Sequence, residues 1–80
     1  MSNIGHMKKI LILAFDLKGE NWRIRKKIWR KLRQIGAKLK YRSHWTLPYN
    51  KRNLIGMKLV CKEIREFGGN AEVIKGEEVV

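Results

Sequence analysis

The stretch KKILILAFDL, residues 8–17, decides how this chain is read. Side chains alternate along a strand, so Ile10, Ile12 and Ala14 project one way with Asp16. Leu11, Leu13 and Phe15 project the other way. A strand that is apolar on both faces belongs in the middle of a sheet, covered on both sides. In a chain of 80 residues with two helices, the helices cover one face. The other face then calls for a second subunit, so the stretch predicts a homodimer formed through the sheet.

After this strand the periodicity changes. Residues 21–36 read as an amphipathic helix, with Ile24, Ile28, Leu32 and Ile35 on one stripe. Trp22 and Trp29 flank that stripe. Arg23, Lys26, Lys27, Arg30, Lys31 and Arg33 fill the opposite arc, while Arg25 falls nearer Leu32 and Trp29. Gly36 stands where a helix C-terminal glycine is expected.

The segment KLKYRSHWTLPY, residues 38–49, alternates with a period of two. Leu39, Tyr41, Ser43, Trp45, Leu47 and Tyr49 share one face; Lys40, Arg42, His44 and Thr46 share the other. It contains no turn dipeptide, so local chemistry does not predict a hairpin, but a bulge or bend near Ser43 would split the segment, and one strand and two both stay open. Pro48 ends the strand or forces it to an edge. A second helix is expected over residues 52–67, with Asn53 as its N-cap. Met57, Val60, Cys61, Ile64 and Phe67 form its buried stripe, and Ile55 and Leu59 lie on the opposite side. Gly68 and Gly69 stop it, and a last strand with an acidic end begins at Ala71. The fold class is α+β. Two architectures fit this order. One is a ferredoxin-like two-layer sandwich, with two strands from residues 38–49 or a reduced version with one bent strand there. The other is a small all-parallel βαβαβ sheet, which needs only one. The first is the expectation.

Composition bounds the function. The formal net charge is +12, and it is uneven. Residues 1–62 hold 17 basic side chains against two acids, Asp16 and Glu20, whereas residues 63–80 hold two basic and five acidic ones. Such a field draws polyanions, most simply nucleic acid or an anionic membrane surface, and nucleic acid is the favoured partner. The longest apolar run, ILILAF, has six residues, far short of the roughly 20 of a membrane span. The single cysteine, Cys61, excludes an intrachain disulfide framework and fits a cytoplasmic location. No Gly-rich phosphate loop, zinc-ligand spacing or hydroxyl–histidine–acid set is present. Residues 1–6 read as a cloning remnant or frayed arm, and residues 7–80 as a single domain.

The succession of a strand ending in FDL, a helix rich in Arg and Lys, the string IGAKLKYRSHW, a further amphipathic helix and a final strand resembles a known superfamily. It is that of the small CRISPR-associated protein of the spacer-acquisition complex. The C-terminal domain of the phenylacetate-pathway transcriptional repressor and the virulence-associated protein D toxins also belong to it. The resemblance implies a ferredoxin-like fold that dimerises with stacked sheets. In nuclease members an aspartate ending the first strand binds a divalent metal between protomers, and Asp16 stands at that position. The family segment of polar residue, spacer, serine, apolar residue and aromatic is similar to Tyr41, Arg42, Ser43, His44 and Trp45, with Tyr41 replacing Gln and His44 replacing the apolar residue. The TLP that follows Trp45 resembles the repressor domain more closely.

These readings give three functional expectations. The first is a nucleic-acid-binding protein, for DNA or RNA, that holds the phosphate backbone with Arg23, Lys26, Lys27, Arg30, Lys31, Arg33, Lys40 and Arg42. Trp22, Trp29, Tyr41 and Trp45 are candidates for base stacking, against a core or interface role. The second is a phosphodiesterase in which Asp16, paired across a dimer, is the catalytic metal ligand for Mg²⁺ or Mn²⁺. Against it, Asp16 favours the positive start of the following helix or pairs with Arg23 or Arg25. His44 is a lesser candidate for acid–base work. The third is a regulatory or accessory module that binds another protein.

Overall fold

The computed structural model describes residues 7–17, 19, 22–40 and 44–79. Its first strand, β1 (Met7–Asp16), is one of the two inner strands, as its sequence requires. It is followed by α1 (Trp22–Gln34), β2 (Lys38–Lys40), β3 (His44–Pro48), α2 (Lys51–Glu66) and β4 (Asn70–Val79). The four strands form one sheet in the order β2-β3-β1-β4, and every neighbouring pair is antiparallel. This small α+β architecture, a four-stranded antiparallel sheet with two helices, is compatible with a ferredoxin-like sandwich.

The two faces of β1 have different fates. Leu11 and Leu13 are fully buried. They meet Leu47 and Trp45 of β3 in register, and they pack in one cluster with Ile28 and Leu32 of α1 and with Met57, Val60, Cys61 and Ile64 of α2. Each such leucine contributes about 1.5–3 kcal/mol by leaving water. Both helices therefore lie on the face to which the odd-numbered strand residues point. The even-numbered face carries Ile10, Ile12 and Ala14, all half-buried, beside Ile74, which is 44% exposed. Ile12 and Ile74 are direct cross-strand partners. No helix of the chain covers this side among the described residues.

The segment 38–49 forms two strands, as the full ferredoxin-like order requires, and they pair as a hairpin despite the absence of a turn dipeptide. Lys38 pairs with Thr46, Leu39 with Trp45 and Lys40 with His44. Each pair joins two odd or two even residues, so Leu39 and Trp45 keep the same face through the reversal. An unbroken alternation is thus what both a single strand and this hairpin produce. Residues 41–43, which connect the strands and include Tyr41, Arg42 and Ser43, lie outside the described residues, as do residues 1–6.

The helix ends show where local chemistry was read correctly and where it was not. Gly36 has φ 88°, a left-handed value that glycine adopts without steric cost, and the Ala37 N–H donates to the Leu32 carbonyl at 2.9 Å. The N-cap of α2 is Asn50, not Asn53: its side-chain oxygen accepts from the Asn53 N–H at 2.7 Å. Asn53 instead donates its amide to the Pro48 carbonyl at 2.9 Å, tying the end of β3 to the helix start. Phe67, expected on the buried stripe, is the C-cap of α2 and is 39% exposed. Gly69 is required by space: a Cβ there would lie 2.7 Å from the Asp16 carbonyl oxygen and 2.9 Å from side-chain atoms of Ile64 and Leu17. No described helix is long and apolar enough to cross a membrane.

Leu13→Ala empties a fully enclosed site at the centre of this core. It should destabilise the protein by about 2–5 kcal/mol in denaturant unfolding. A loss below about 1 kcal/mol, of the size seen at surface positions, would show that β1 is not the core strand.

Candidate nucleic-acid interface

The geometry of α1 follows from its stripe. Ile28 and Leu32 are fully buried, with Ile24 and Ile35 partly buried beside them. Trp29 leaves the helix on the β3 side and meets Trp45 edge-on, ring centroids 5.4 Å apart at 77°. With this face committed to the core, helical spacing turns Arg23, Lys26, Arg30 and Arg33 outward, and all four are exposed.

Lys27 and Lys31 have a different environment. Glu63 of α2 sits between them: Lys31 Nζ donates to Glu63 Oε2, and Lys27 Nζ lies 3.8 Å from Glu63 Oε1. Lys27 Nζ also lies 5.5 Å from the centre of the Phe67 ring. The compensating acid that the helix lacks within its own sequence is supplied by its neighbour. The six expected phosphate ligands on α1 therefore divide into two that carry a local counter-charge and four that make no ion pair among the described residues. The only hint of Glu63 in the sequence is an acid beside the apolar position Ile64 of α2; which helix it faces depends on how the helices pack.

Lys40 does not join the α1 patch. Even-numbered residues of β2 and β3 point to the open sheet face, so Lys40 and His44 lie on the opposite side of the sheet from α1. The Lys40 ammonium donates to Glu78 of β4 and forms an ion pair with it. The hydrogen bond from Lys40, then its charge, hold the Glu78 carboxyl below its ordinary value of 4.5, with a smaller contribution from Lys8. Because the folded value is depressed, this contact stabilises the fold above the unfolded pKa and is lost as pH falls through the folded one. Arg42 lies outside the described residues.

Asp16 is exposed at the end of β1, opposite Asn70 of β4. It lines two cavities. One, of about 480 Å³, is shared with Arg65, Asn70 and Glu72, among others. The other, of about 140 Å³, is shared with Arg25, Trp29 and Trp45. Arg25 thus lies on the same cavity wall, but Asp16 forms no ion pair with it or with Arg23 among the described residues. Glu72 is a second carboxylate at this end, which the sequence reading did not single out. It faces the same way because Ala14 and Glu72 are cross-strand partners. Among the described residues no three His, Cys, Asp or Glu side chains form a group able to hold a metal. Glu20, the other acid near Asp16 in sequence, lies outside the described residues.

The aromatic candidates also separate. Trp45 is 3% exposed and belongs to the core, Trp29 is 38% exposed and leans on it, and Trp22 is 64% exposed. Tyr41 lies outside the described residues. Cys61 is a buried free thiol within the core cluster, as its place on the apolar stripe implies. No family model, curated protein or solved structure matches the chain.

Proposed function

We propose that the protein binds the phosphate backbone of nucleic acid with the outer face of α1, as a basic module of the CRISPR-associated-like or repressor-domain-like kind. The observation that carries this reading is the set Arg23, Lys26, Arg30 and Arg33, four exposed cations without ion pairs among the described residues. Like charges at this spacing on one helix repel each other in the free protein. A polyanion relieves that repulsion and releases its own counterions. Backbone contacts of this type position a nucleic acid without reading its sequence. Four neutralised phosphates give a log–log salt slope of about −3.6 on duplex DNA. Affinity should therefore fall roughly a hundredfold between low and moderate salt. Lys26→Glu combined with Arg30→Glu should abolish measurable binding in fluorescence anisotropy titrations. Unchanged affinity in that double variant would sink the assignment to α1.

The proposal includes a homodimer through the open sheet face. Ile10, Ile12 and Ala14 are only half covered by the chain itself, and Ile74 beside them is exposed. Burying this strip against its copy offsets the cost of exposing it. Sedimentation equilibrium at micromolar concentration should return twice the 9.5 kDa chain mass; a clean monomer would refute the dimer.

A second reading, a metal-dependent phosphodiesterase, is favoured by one observation: Asp16 sits at the rim of that same open face and carries no ion pair among the described residues. A sheet-to-sheet dimer brings in a second Asp16, which one chain cannot supply. On this reading, Mg²⁺- or Mn²⁺-dependent cleavage of RNA or DNA disappears in Asp16→Asn while its circular dichroism and melting stay unchanged. Cleavage that persists in the folded variant would eliminate Asp16 as the catalytic group.

A further inference from the structure

We infer that Trp22 is a stacking platform for an unpaired nucleobase, so that the α1 face selects single-stranded over duplex nucleic acid. This rests on the reading of α1 as the phosphate-binding face and adds to it the class of nucleic acid bound. Among the three tryptophans, only Trp22 offers most of its surface to solvent. Trp29 and Trp45 are spent on each other and on the core. Leaving a large aromatic ring in water forgoes burial that would stabilise the fold, and among the described residues Trp22 makes no ring–ring contact and belongs to no core cluster.

Its surroundings specify the partner. The Arg23 guanidinium lies 5.6 Å from the Trp22 ring centre, in cation–π range of one side. Arg25 and Lys26, three and four residues on, are neighbours of Trp22 on the helix surface. Both are exposed. A flat apolar ring ringed by cations suits a ligand that carries a π-face and an anionic backbone together. A nucleotide strand with a free base has both. In a duplex the bases are already stacked and their faces are closed, so only the backbone term remains. Base–aromatic stacking tolerates any base, because every base presents a π-face.

The experiment compares three probes: a short oligothymidylate, an abasic strand of the same length, and a mixed-sequence duplex. Wild-type protein should bind the oligothymidylate more tightly than the abasic strand. Trp22→Ala and Trp22→Leu should weaken oligothymidylate binding roughly 5- to 150-fold, the effect of losing one base–aromatic stack. Both should leave abasic-strand binding, duplex binding and the salt slope within about twofold of wild type, because the phosphate contacts remain. Trp22→Phe should retain most of the wild-type preference, and melting temperatures should be unchanged at so exposed a position. Equal losses on all three probes, or no loss on any, would overturn the stacking role while leaving the cationic face intact. A wild-type protein that binds none of the probes would overturn both readings. Binding to all three that depends on Lys26 and Arg30 but not on Trp22 would overturn this one alone.

Discussion

Leu11 and Leu13 on one face of a single strand set the terms for the rest of the molecule. Both are completely enclosed, and both are reached from above by α1 and α2 and from the sides by β3 and β4. Both helices, β3 and β4 pack or pair directly against this strand, and β2 is held through β3. The cost is borne on the reverse side of β1, where Ile10, Ile12 and Ala14 must point away from the helices because alternation allows nothing else. With two helices and one sheet, a chain of 80 residues buries one face and leaves the other half-covered. Small domains are marginal for this reason, and self-association is one of the few remedies open to them.

The charge distribution follows from the same packing. Once Ile28 and Leu32 are turned inward, the helix repeat places Lys27 and Lys31 over α2 and Arg23, Lys26, Arg30 and Arg33 in solvent. Glu63 then does locally what the composition does not do globally: it balances part of an otherwise one-signed helix. Exposed pairs of this type contribute little stability, about 0–1 kcal/mol. Their larger effect is to define the cationic surface by subtraction. Lys40, committed to Glu78 on the far side of the sheet, is subtracted as well.

Much of this was readable in advance. The strand at residues 8–17, both helices, the glycine stops and the exposure of Ile55 and Leu59 all came from periodicity and from residues with narrow conformational habits. The failures have specific causes. The β2–β3 hairpin was hidden because its register pairs residues of like parity, so alternation ran through the turn uninterrupted. Asn53 was read as the cap because it stands just ahead of the apolar stripe. Asn50, three residues earlier, satisfies the same rule, and the choice between them is made by Asn53 bonding back to the Pro48 carbonyl. Phe67 follows the stripe by number but falls where the helix has already ended.

The sequence by itself determined the elements, the inward stripe of each helix and the strongly basic character of α1, because these depend on spacing along one chain. Tertiary structure alone decided which cations keep their charge exposed, which tryptophan remains in solvent and which carboxylate shares the end of β1 with Asp16. Those are relations between residues brought together from separate elements, as with Lys31 and Glu63, Trp29 and Trp45, or Asp16 and Glu72. No periodicity encodes such pairs: a helix or strand specifies its own faces, and its partner on each face is chosen only when the core closes.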